Sequence, residues 1–125
     1  NNGDDTYRQT FFYHMNGCYK ALARDFDQDG NADIAAISFF ADYARFPDEG
    51  FVYLHNKGNF LFQPYTIREA RGGRWITMDA GDLNGDGKLD LVLGNFSYGP
   101  VMMQPQVDWS RGNSFLFLKN IGRKN

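Results

Sequence analysis

Short apolar runs recur along this chain in an order that repeats. Residues 19–24, 34–38, 50–55 and 60–67 are each a few residues long and separated by segments with Gly, Asn or Asp, and the last three carry β-branched or aromatic side chains. That pattern predicts strands, since nothing in it sustains the 3.6-residue period of an amphipathic helix. A second set follows at residues 75–80, 91–94 and 114–119. The third run of each set enters an Asn-x-Gly turn, Asn56-Lys57-Gly58 in one and Asn120-Ile121-Gly122 in the other, the turn chemistry expected of a hairpin. The chain opens with Asn1-Asn2-Gly3 and an apolar run over residues 7–14, which reads as the fourth strand of a preceding unit. With strands lettered A to D, the predicted order is D, ABCD, ABC, divided at residues 1–18, 19–74 and 75–125. The fold class predicted is all-β, built of about two four-stranded antiparallel units.

Between the first two strands of each set lies the same acidic loop, 57 residues apart (82 minus 25). One copy reads Asp25-Phe26-Asp27-Gln28-Asp29-Gly30-Asn31-Ala32-Asp33 and the other Asp82-Leu83-Asn84-Gly85-Asp86-Gly87-Lys88-Leu89-Asp90. Side-chain oxygens recur at positions 1, 3, 5 and 9. A hard cation takes six to eight oxygens at about 2.3–2.6 Å, and alternate short side chains on a curled loop can converge on one centre. Gly at position 6 supplies the sharp turn. Four Asp within nine residues of the first copy repel one another unless neutralised, so calcium is the expected partner, two ions per chain. Seven of the 15 acidic residues lie in these loops, and the formal charge of −2 becomes +2 with two Ca²⁺ bound. That balance gives no reason to expect nucleic-acid binding or membrane insertion.

These are not EF-hands. Such a loop closes with a bidentate Glu at position 12, between helices, and here position 12 is Ala36 or Leu93. Dockerin-like helical repeats fail on the same missing ligand. The sequence Asp-x-(Asp/Asn)-x-Asp-Gly-x-x-Asp-(Ile/Leu), followed by an apolar strand and Val52-Tyr53-Leu54-His55-Asn56-Lys57-Gly58, resembles the FG-GAP and VCBS repeats that build β-propeller blades, including those of integrin α subunits. The resemblance covers residues 19–125. Ser38-Phe39-Phe40 and Gly94-Asn95-Phe96 stand where the integrin version has Gly-Ala-Pro, so the VCBS-like branch is the nearer one and integrin ligand recognition is not implied. The resemblance implies one calcium site from Asp25, Asp27, Asp29, the Asn31 carbonyl and Asp33, and another from Asp82, Asn84, Asp86, the Lys88 carbonyl and Asp90.

A four-stranded blade has a small core, and an ion can fix a loop whose backbone groups cannot all pair locally. Extracellular calcium fills even sites of about 10⁻⁴–10⁻³ M, so the expected setting is extracytoplasmic: periplasmic, cell-surface or secreted. Propellers close with four to eight blades, whereas 125 residues at 57 per repeat give about two. The expected partners are therefore the remaining blades of a longer protein or, alternatively, other copies of the chain.

Recognition of a protein or carbohydrate is expected on the long connections over residues 39–49, 68–74 and 95–113, with Arg71, Arg74, Tyr98, Trp109 and Arg111 as candidate contacts. No nucleophile elbow, phosphate loop or Ser-His-Asp pattern marks catalysis, and a non-enzymatic module is expected. The alternative is a piece of a propeller enzyme, a polysaccharide lyase or quinoprotein-like oxidoreductase, with its active site partly on other blades. Cys18 is alone and cannot form an intrachain disulfide; a buried structural role is expected of it. His14 reads as a turn residue, and His55, at a strand end, carries no expectation of chemistry.

Overall fold

The computed structural model describes residues 1–97 and 109–122. Among them are seven strands: β1 (Cys18–Arg24), β2 (Asp33–Ser38), β3 (Phe51–Asn56), β4 (Phe62–Tyr65), β5 (Trp75–Gly81), β6 (Asp90–Asn95) and β7 (Phe115–Leu118). Every pairing is antiparallel between chain neighbours, giving a four-stranded sheet β1-β2-β3-β4 and a three-stranded sheet β5-β6-β7. Short 3₁₀ turns at Arg68–Gly72 and Trp109–Arg111 are the other regular elements. The all-β class and the order ABCD then ABC from β1 to β7 stand as the sequence predicts; the leading D strand does not.

The apolar runs of β2 and β6 fit central strands covered on both faces. In β2 every residue from Ala35 to Ser38 is buried, and in β6 so are Asp90, Leu91, Leu93 and Gly94. The outer strands β1 and β7 keep exposed positions. Both sheets also carry the same irregularity, a register shift at Cys18/Lys20 in β1 and at Trp75/Thr77 in β5. Gly94 lies so close to the Thr77 methyl that a Cβ would stand 2.5 Å from it, which explains the glycine in an otherwise apolar strand.

The two sheets share one core. Phe26, Ala35, Ile37 and Phe51 come from the first unit and Trp75, Met78, Leu91 and Leu93 from the second, with Ala70 from the connection. The register makes Ile34 the counterpart of Leu91, since they pair with Leu54 and Leu118. Ala35 therefore corresponds to Val92 and Ile37 to Gly94. The first sheet meets the second with one face, and the second answers with the opposite face of its own repeat. This is head-to-tail stacking. The second sheet's equivalent of the covered face is open: Phe26 is 5% exposed but Leu83 59%, and Phe115, counterpart of the buried Phe51, is 70% exposed.

Three expectations change. Residues 7–14 carry no strand, although the Gly3 N–H donates to Asn1 Oδ1 (2.6 Å) as Gly58 does to Asn56 and Gly122 to Asn120 (2.9 Å each). The turn repeats, but among the described residues no third strand lies beside this segment to pair with it. The fourth strand of the first unit is shortened to Phe62–Tyr65; it starts late because Asn59 and Phe60 take left-handed φ of 53° and 59°. Cys18 opens β1 exposed rather than buried.

Candidate cation loops

Each acidic loop is shaped first by its own side chains bonding its own backbone. In the first, the Asp29 and Gly30 N–H groups donate to the two oxygens of Asp25 (3.1 and 2.9 Å), Asp29 N–H also reaches Asp27 Oδ1 (3.3 Å), and Asn31 N–H donates to Asp29 Oδ1 (2.8 Å). The second repeats the set position for position: Asp86 and Gly87 N–H to Asp82 (3.1 and 2.8 Å), Asp86 N–H to Asn84 Oδ1 (2.9 Å) and Lys88 N–H to Asp86 Oδ1 (3.0 Å). The N–H of Gly87 above all, with those of Gly85, Asp86 and Asn84, holds the Asp82 carboxyl below the ordinary carboxylate range. Gly30 and Gly87 have φ of 90° and 80°, the left-handed turn expected at position 6. Position 4 is left-handed as well, at Gln28 (61°) and Gly85 (77°). The glycine of the second copy was the signal for that turn.

The ninth residue closes each loop from within the sheet. Asp33 and Asp90 are fully buried. Asp33 Oδ1 accepts the Asn56 N–H (2.8 Å) and Asp90 Oδ1 the Asn120 N–H (2.8 Å). The Asn side chains reach back to the carbonyls preceding those aspartates, Ala32 (3.0 Å) and Leu89 (3.2 Å). The Asn-x-Gly turn thus does more than reverse the chain: it anchors the acidic loop. Asp33 also accepts a hydrogen bond from the Tyr53 hydroxyl, and His55 Nδ1 lies 3.2 Å from Asp33 Oδ1 and 3.3 Å from Asp27 Oδ2. At the corresponding places the second unit has Phe117 and Lys119, and Leu83 N–H supplies the second bond to Asp90 (3.2 Å). Sequence reasoning missed His55 because its partners are 22 and 28 residues away (55 minus 33 and 55 minus 27); the alternation of β3 places Tyr53 and His55 on one face.

Donors in the first loop fit a hard cation. Carboxylate oxygens of Asp25, Asp27 and Asp33 lie within 4.8 Å of one another, and two oxygens at about 2.4 Å from a shared ion can stand no farther apart than about 4.8 Å. Asp29 falls in a second group with Asp27 and His55. Asp82, Asp86 and Asp90 form no such close group among the described residues. The backbone of the second loop is nevertheless curled by the same bonds, and Asn84 adds an amide oxygen. Two bonds join the loops across the sheets: Gln28 Nε2 to the Gly87 carbonyl (3.0 Å) and Asn120 Nδ2 to the Phe26 carbonyl (2.7 Å). Beside them a cleft of about 430 Å³ runs between the sheets, walled by Phe26, Tyr53, Ile67 and Leu118 with Asp27, His55 and Lys119.

The candidate ligand contacts lie elsewhere. Arg71 pairs with Asp48, whose carboxyl is held below its ordinary value by that hydrogen bond. Arg74 is 9% exposed, its guanidinium 3.7 Å from the Phe39 ring centroid and its Nε donating to the Phe39 carbonyl (3.1 Å). Trp109 packs against Tyr43 (5.0 Å between ring centroids), and its indole N–H donates to the Arg71 carbonyl (3.3 Å). Arg71, Arg74 and Trp109 thus form one cluster, in which Arg74 serves as packing. Arg111 ends the second 3₁₀ turn, exposed, and Tyr98 lies outside the described residues. Among those residues no helix is long and apolar enough to cross a membrane.

No curated protein and no solved structure matches the chain. A family model does, the one described as FG-GAP-like repeat, over residues 25–93. The match begins at the first aspartate of the first loop and ends in β6, beyond the second.

Proposed function

From the premise that the chain belongs to the FG-GAP-like repeat family, we propose that it is a segment of a β-propeller, of the VCBS-like branch, locked by one calcium ion in each acidic loop. Its role on this reading is that of an extracytoplasmic scaffold for recognising protein or carbohydrate, without catalysis of its own. The observation that carries the reading is the loop repeated position for position, with three carboxylates brought within 4.8 Å in the first copy. Asp25, Asp27, Asp29, Asp33 and the Asn31 carbonyl would hold one ion; Asp82, Asn84, Asp86, Asp90 and the Lys88 carbonyl would hold the other. When bound, the ion supplies charge neutralisation, while the chain's own N–H groups keep the carboxylates turned inward.

The open far face of the second sheet supports further units in the same series. Leu83, Phe115 and Phe117 are exposed there, and a unit set against them as the second is set against the first would cover them. Recognition is assigned to the cluster around Trp109 and Arg111, on the connections between strands rather than on the loops that hold the ions.

Calcium dependence tests the reading. At a hundredfold excess over Kd each ion stabilises by roughly 2.7 kcal/mol. Asp27→Ala is expected to lower the melting temperature in calcium and to change little in chelator, followed by circular dichroism. An equal loss in both conditions, or native mass spectra showing no calcium uptake by the wild-type chain, would overturn it.

A further inference from the structure

We propose that the first loop, unlike the second, also offers a nitrogen-bearing site made by Asp27, Asp29 and His55 for a divalent first-row transition cation of the zinc class. The proposal rests on the reading of the first loop as a cation site and extends it to a different ion. Donor atoms of these three side chains lie within 4.8 Å of one another, and His55 Nδ1 and Asp27 Oδ2, at 3.3 Å, stand at the separation of two ligands each about 2.0–2.1 Å from one zinc ion. They come from two elements, the loop and the end of β3, so the group is not a run of neighbouring acids. The imidazole is placed by register: Asn56, next in β3, is bonded to Asp33 through its N–H, and Tyr53 through its hydroxyl. The His55 side chain is only 14% exposed.

One ring nitrogen faces carboxylates of both Asp27 and Asp33, at 3.3 and 3.2 Å. A metal ion held on that nitrogen's lone pair, in place of the proton, would lie among these carboxylates. Imidazole favours zinc-like ions, while carboxylates serve these and calcium alike. In the second unit Lys119 stands in place of His55 and Asn84 in place of Asp27, so that loop retains only oxygen donors. The two donor groups of the first loop share Asp27, and zinc there competes with calcium.

The test titrates the chain with ZnCl₂ and, separately, CaCl₂ by calorimetry, and follows the imidazole ¹H–¹⁵N resonances. The chain has two histidines, and His14, bonded to Asn16 (3.0 Å), serves as the internal reference. Zinc is expected to shift the His55 ring, leave His14 in place and displace calcium from one loop alone. His55→Gln is expected to weaken zinc roughly tenfold or more and to leave calcium binding in place. Should His55→Gln not fold, the wild-type ring shift decides alone. Zinc binding that leaves the His55 ring unmoved, or that survives His55→Gln undiminished, would overturn the proposal. Calcium uptake with a silent His55 removes this inference and spares the calcium reading; zinc ligation by His55 without calcium uptake does the reverse.

Discussion

The two repeats share a backbone and differ in what surrounds it. Asp33 and Asp90 are equally buried and take the same Asn N–H bond, yet Asp33 is also approached by Tyr53 and His55, where Asp90 meets Phe117 and Lys119 only in register. Phe26 and Leu83 occupy the same loop position, one inside the core and the other in solvent. Local sequence thus sets the shape of the loop in both copies, whereas burial depends on whether another sheet stands beside it.

The largest expected effect tests burial. Phe26→Ala should cost about 3–4 kcal/mol, and Leu83→Ala no more than about 0.5 kcal/mol, both read from urea unfolding; similar losses would mean that loop position, not the neighbouring sheet, decides. Next comes the buried aspartate. Asp33→Ala strands the Tyr53 hydroxyl as well as the Asn56 N–H and should cost on the order of 3 kcal/mol, against about 2 kcal/mol for Asp90→Ala. An asymmetry of opposite sense is expected at the turns, where each loss is smaller. Asn120→Ala loses the cross-sheet bond to Phe26 as well as the local ones and should cost about 2 kcal/mol, where Asn56→Ala costs about 1 kcal/mol. Smallest is Tyr53→Phe, which gives the first unit the second unit's side chain and should cost about 1 kcal/mol. The reverse change, Phe117→Tyr, should gain nothing unless its hydroxyl reaches Asp90.

Period and turn chemistry made most of the strands legible. The runs at 34–38 and 91–94 could be placed as buried strands because β-branched and small apolar residues fit a strand covered on both faces. The fourth strand was started too early because two non-glycine residues, Asn59 and Phe60, carry the left-handed backbone on beyond Gly58. The loop side chains were legible because their spacing is local. The partners of Asp33 and Asp90 were not, because Asn56 and Asn120 reach them only once the third strand pairs with the second. Arg71 and Arg74 looked like free surface charge for a similar reason: Asp48 and Phe39, which engage them, are far away in sequence.

The bonds from Gln28 to Gly87 and from Asn120 to Phe26 have a statistical consequence. An array of such units is stabilised by a term for each unit and a term for each seam between neighbours. A unit flanked on both sides gains two seams and a terminal unit one, so fraying starts at the ends and moves inward. Closing such a series into a propeller ring gives every unit two seams and leaves no end to fray, so its melting becomes steeper as well as later.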